Sequence, residues 1–78
     1  MQTQIKQQIK MSGNFDEALL QNWIIHRATL LNVDIEIQNA SSSSIELLAS
    51  GHPILVEALE IACSLGPLEA SIEKIEYI

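Results

Sequence analysis

Basic residues are scarce in this chain of 78: four Lys and Arg stand against ten Asp and Glu, a formal net charge of −6. The four, Lys6, Lys10, Arg27 and Lys74, are scattered and form no basic stripe. Nucleic-acid binding relies on Lys and Arg to neutralise phosphates, so no nucleic-acid partner is expected. Anionic membrane surfaces are disfavoured on the same ground. Cysteine is confined to Cys63, which excludes an internal disulfide. No apolar run approaches the ~20 residues that a spanning helix needs. The opening Met1-Gln2-Thr3-Gln4-Ile5-Lys6 lacks the apolar core of a signal peptide. The expectation is a soluble cytoplasmic protein.

The chain does have enough apolar substance for a core, at 47% hydrophobic and 18% charged residues with only three Gly and two Pro. A disordered chain would lack that apolar surface. Its length implies one domain over residues 1–78. A domain of this size buries roughly 60% of its unfolded surface, so modest stability is expected.

Patterning supplies the order of elements. Ile5, Ile9 and Met11 alternate with polar residues and predict a strand, interrupted by Ser12-Gly13-Asn14. Leu20, Trp23, Ile24, Ala28 and Leu31 recur at helical steps and predict a helix over about 15–31, with Asn14 as N-cap and Glu17 completing a capping pair. Asn32 ends it. Val33, Ile35 and Ile37 alternate with Asp34, Glu36 and Gln38 as a half-buried strand, residues 39–44 form a polar turn, and Ile45, Leu47 and Ala49 resume the alternation as a hairpin partner. The run of four serines reads as a solvated turn. Ser50-Gly51-His52-Pro53 breaks the strand, and Leu55, Ala58, Leu59, Ala62 and Leu65 give a second helix, stopped by Gly66-Pro67. A last strand with an irregularity covers residues 70–78, through Ile72, Ile75 and Tyr77. The fold class expected is α+β: a ferredoxin-like βαββαβ sandwich, a four-stranded antiparallel sheet with two helices on one face.

This plan resembles the acylphosphatase family. There a first strand leads into a loop of pattern Gly-x-Val-Gln-Gly-Val-Gly-Phe-Arg, followed by a helix, a strand ending in a catalytic Asn, a hairpin, a helix ending in Gly-Pro and a last strand. Laid on that plan without a gap, residues 12–77 put Leu31-Asn32-Val33 on the family's Leu-Gly-Leu and Asn39 on its catalytic Asn. Gly51, Gly66-Pro67 and the closing Ser71-Ile72-Glu73-Lys74-Ile75-Glu76 also find counterparts. The loop departs from the pattern. Gly13 stands for the opening glycine and Leu20 for the buried Phe, but Asp16 replaces the Gln, Glu17 and Leu19 replace the inner glycines, and Gln21 occupies the position of the phosphate-binding Arg. What the resemblance implies, carboxyl-phosphate hydrolysis with Asn39 orienting the water, therefore lacks its main partners.

The physical consequence is large. Arg offers a charged planar fork to two phosphate oxygens, whereas Gln21 is neutral and offers one amide end. Loss of a charge-assisted hydrogen bond costs roughly 1.5–3 kcal/mol, and loss of one transition-state donor about 10²–10³ in rate. A cradle of inward N–H groups also needs glycines, yet residues 15–19 are helix-compatible and should commit most of those amides to the helix ladder. Asp16 and Glu17 add negative charge where a dianion would dock.

Other candidates are weaker. His26, His52 and Cys63 have no metal-ligand spacing and read as surface residues. Ser41 to Ser44 lack a base to activate them. Trp23 reads as a core anchor, and Arg27, ~1.7 helical turns beyond Gln21, as a salt-bridging or snorkelling surface residue. Asn39 reads more readily as a turn residue than as a catalytic one once the Arg is absent. No metal or cofactor is expected. The reading reached is a non-catalytic domain associating with itself or another protein, with a homodimer through the apolar terminal strand (Ile75, Tyr77, Ile78) as one route. The alternative is a weak or altered acylphosphatase working through Asn39.

Overall fold

Period-two alternation builds the sheet in the computed structural model, which describes residues 4–78. Met1, Gln2 and Thr3, the start of the segment read for a signal peptide, lie outside the described residues. The elements are β1 (Ile5–Asn14), α1 (Glu17–Leu30), β2 (Asp34–Ala40), β3 (Ser44–Gly51), α2 (Pro53–Leu65) and β4 (Ser71–Tyr77). The strands form one sheet in the order β2-β3-β1-β4, with every neighbouring pair antiparallel. This is the expected ferredoxin-like βαββαβ arrangement.

One face of the sheet meets the helices. Ile9 and Met11 of β1 and Ile45, Leu47 and Ala49 of β3 are fully buried, as their alternation requires. They pack with Leu20, Ile24 and Ala28 of α1 and Val56, Leu59 and Cys63 of α2 in one core. The other face carries Lys6, Gln8 and Lys10 of β1, with Glu46 and Leu48 of β3 beside them in register. Lys74 and Glu76 of β4 lie on that face too, opposite Ser12 and Lys10.

Several boundaries differ from expectation. β1 continues through residues 12–14, because β4 pairs with Gly13 and Asn14. The register slips there: Ser12 faces Lys74 but Gly13 faces Ile72, so Glu73 is an extra residue in β4. α1 starts at Glu17 with Asp16 as its N-cap, in place of Asn14, and the Asp16 carboxylate accepts from the Leu19 N–H at 3.0 Å. Asn32, which ends the helix as expected, adopts φ 56°; Asn tolerates this left-handed region better than most residues.

The face of α2 is also rotated from the one predicted. Val56, Leu59 and Cys63 point inward, whereas Leu65 lies 77% exposed. Its sequence is apolar on two sides, so helical spacing alone admits either face. Cys63 is thus a core residue and not a surface one. His52 caps this helix, its Nδ1 accepting from the Ile54 N–H at 3.3 Å, with Pro53 in the first turn.

Candidate functional site

The segment between β1 and α1 is held by the β2–β3 turn. Gly13 N–H donates to Ser43 O at 3.0 Å and Phe15 N–H to Ser42 O at 3.1 Å. The turn is itself braced: Ser41 N–H donates to Ser44 O at 2.8 Å, and Ser41 Oγ accepts from the Ser43 and Ser44 amides. The serines therefore form a tight turn that fixes the loop across from it. Phe15 is buried and anchors the loop to the core.

Above this anchor lies an open depression of about 610 Å³ lined by Phe15, Asp16, Glu17, Ala18, Gln21, Asn22 and Ser42. Its ionisable lining is Asp16 and Glu17, both acidic. The Gln21 amide donates to Glu17 Oε1 at 3.4 Å, so the residue at the arginine position is directed to a neighbouring carboxylate. Of the loop's N–H groups, those of Gly13 and Phe15 reach the serine turn, that of Leu19 reaches the Asp16 carboxylate, and that of Leu20 enters the helix ladder at Asp16 O. The N–H groups of Asp16, Glu17 and Ala18 lie at the helix start, where no carbonyl of the ladder reaches them, so against expectation residues 15–19 give none of their amides to the ladder, because the helix begins only at Glu17.

Arg27 does not reach this depression. Its guanidinium carbon sits 5.4 Å from the centroid of the Trp23 ring, a cation–π contact made by an exposed side chain; of the two surface roles read for it, the salt bridge is not the one formed. Trp23 itself packs against the core, as read from its position. Asn39 lies within β2, facing Glu46 of β3, and does not line the depression. Its place is set by a slip in register after Ile37, which leaves Gln38 as an extra residue and puts Asn39 on the sheet face of Glu46, away from the helices. The turn role read for Asn39 falls instead to Asn32, the non-glycine residue at positive φ among the described residues.

Asp16, Glu17 and Gln21, which the family's loop pattern grouped, all line the depression. Sequence reasoning missed Ser42 and Asn22. Ser42 enters only through the long-range docking of the hairpin turn on the loop, which no local pattern encodes. Among the described residues no group of three His, Cys, Asp and Glu side chains is arranged to hold a metal. Cys63 is sealed in the core, and burial, reinforced by Glu60, pushes its thiol up to about 12.

An open four-stranded antiparallel sheet with two helices in βαββαβ order, and a loop after β1 facing the β2–β3 turn, is a ferredoxin-like fold, and it is the fold of solved acylphosphatases. Among solved structures, the chain is similar to an acylphosphatase from Coxiella burnetii, with a TM-score of 0.86 and 19% identity over 96% of this chain and 79% of that one. It is similar to an acylphosphatase from Bacillus subtilis, with a TM-score of 0.84 and 14% identity over 97% of this chain and 83% of that one. Full-length HypF, in a phosphate- and nucleotide-bound form, matches the whole chain over 10% of its own length, with a TM-score of 0.86 and 18% identity. Protein-family models and curated proteins gave no match to the sequence.

Proposed function

We propose that this domain is a non-catalytic member of the acylphosphatase-like fold that acts by binding protein. The observation that carries this reading is the lining of the loop depression: two carboxylates, Asp16 and Glu17, and a glutamine already directed to one of them. A phosphoryl dianion needs cationic compensation and inward N–H donors. Here no Lys or Arg lines the depression, and Arg27 of the same helix is stacked on Trp23. Coulomb repulsion from two exposed carboxylates opposes anion entry, by roughly 1 kcal/mol each at contact distance in water. The reading sets the domain in the cytoplasm. Among the described residues no helix is long and apolar enough to cross a membrane.

The test is hydrolysis of an aryl acyl phosphate by the natural protein and by Gln21→Arg. No turnover above the buffer rate is expected from the natural protein. Turnover within a hundredfold of an active acylphosphatase assayed alongside would overturn the reading and favour the alternative, a weak acylphosphatase working through Asn39. Self-association is tested by light scattering over a concentration series. The terminal-strand route has a short runway, because the extra Glu73 leaves residues 74–77 as the regular stretch of β4.

A further inference from the structure

Helix α2 is apolar on two opposite sides. Val56, Leu59 and Cys63 fill the core on one. On the other, Ile54 and Ile61 are 69% and 57% exposed, and Leu65 projects still further. At 100° per residue, Ile54, Ala58, Ile61 and Leu65 fall within a 60° sector diametrically opposite Cys63. Such a stripe, spanning twelve residues or ~16 Å at 1.5 Å per residue, lies outside the core cluster. Leu68, just past the helix, is wholly exposed as well. On α1, by contrast, the exposed Leu19 and Leu30 are separated by Asn22 and His26.

Charge beside the stripe has one sign. Glu57 and Glu60 lie along one edge, and α2 carries no Lys or Arg. The three lysines point from the opposite, open face of the sheet, and Arg27 is on α1. Glu60 is already uncomfortable: partial burial and the charge of Glu57 push its carboxyl pKa up. A cation placed along this edge would relieve that repulsion.

From this juxtaposition we propose that the outer face of α2 is the docking surface for an amphipathic helix of another protein, with aliphatic residues on one face and Lys or Arg along its flank. The inference rests on the reading of the domain as an association module and names its surface. A helical partner fits because α2 offers side chains, its backbone groups being paired within the helix except at its ends. An extended peptide would leave its own N–H and C=O groups unpaired in the contact, whereas a helix satisfies them internally. A second copy of this chain fits poorly, since it brings a net charge of −6 and the same two glutamates. An anionic membrane is repelled by them as well.

The test uses the ¹⁵N-labelled full chain and two synthetic helical peptides of the same length and leucine stripe, one with lysines along the flank and one with glutamates. Amide shifts on adding the lysine peptide are expected at Ile54, Glu57, Ala58, Ile61 and Leu65. The glutamate peptide should bind at least tenfold more weakly. Ile61→Gln with Leu65→Gln, at exposed positions, should abolish the shifts while circular dichroism stays unchanged. Glu57→Gln with Glu60→Gln should weaken the lysine peptide at least fivefold and remove most of its salt dependence. Equal binding of the two peptides, shifts centred on the open sheet face, or no shifts at millimolar peptide would overturn the proposal. So would concentration-dependent shifts at these residues without peptide, which assign the face to a second copy. Failure here with no acyl-phosphate turnover removes this surface alone; turnover removes the reading beneath it.

Discussion

Gly13 has a physical reason to be glycine that is independent of phosphate. A Cβ built there would overlap the carbonyl oxygen of Ser71 and lie 3.1 Å from the Glu73 nitrogen. Both are backbone atoms, so no side-chain rotation relieves the clash. They belong to the part of β4 that slips in register around the extra Glu73. Gly13→Ala must therefore push the start of β4 away from β1. Overpacking of this kind costs about 1–3 kcal/mol, and loosening Ile72 from the core adds at most about 1 kcal/mol for a half-buried side chain. A loss of about 2–3 kcal/mol is expected, a large part of the total for a chain of this size. At about 4–8 °C per kcal/mol the melting temperature should fall by roughly 10–20 °C. Urea unfolding followed through Trp23, the single tryptophan, measures the change. Hydrogen exchange should speed up first at Ile72 and Glu73. The control is Gly51→Ala, whose Cβ would sit an ordinary 3.7 Å from Val33; it should change stability by less than about 0.5 kcal/mol or raise it, since glycine weakens a strand. If Gly13→Ala unfolds at the same urea concentration as the natural chain, or the control loses as much, close approach of β4 is not the reason for the glycine.

The remaining predictions concern the cap, the core and alkaline pH. Asp16→Ala should lower stability by about 1 kcal/mol through loss of the cap to Leu19, and Asp16→Asn by much less, as read in urea titrations. Leu47→Ala, at the centre of β3 and fully buried, should cost about 2–5 kcal/mol; a value below 1 would mean the core packs differently. Cys63 is held neutral in the fold, its pKa raised from an ordinary 9.0 to about 12. Its contribution to stability is thus complete below pH 9 and declines as pH rises toward 12. The slope approaches about 1.4 kcal/mol per pH unit for one proton. Tyr77, raised in the same direction by burial and then by Glu60 and Cys63, adds to the decline at higher pH. Cys63→Ala should flatten the slope between pH 9 and 10.5, and an unchanged slope would refute the assignment. In the native state at pH 8 the thiol should react with iodoacetamide only as fast as the chain opens.

Element types and their order were legible because strands and helices impose different periods on buried side chains, and each period recurs here. Ile45, Leu47 and Ala49 announce β3, and Leu20, Ile24 and Ala28 announce α1, without any knowledge of their partners. Sequence by itself also determined the acidic character of the loop, since Asp16 and Glu17 are adjacent in the chain and Gln21 lies one turn beyond Glu17 on any helix that begins there. Tertiary structure alone decided which of the two apolar sides of α2 turns inward. That choice depends on the shape of the sheet surface beneath it, because Val56 and Leu59 on one side and Ile54 and Ile61 on the other are equally apolar. It alone placed Ser42 against Phe15, slipped β2 at Gln38, fixed the expected irregularity of β4 at Glu73, and seated Asn39 within a strand. Those outcomes come from pairing between segments far apart in the chain, where backbone hydrogen bonds, which carry no trace of side-chain identity, set the register.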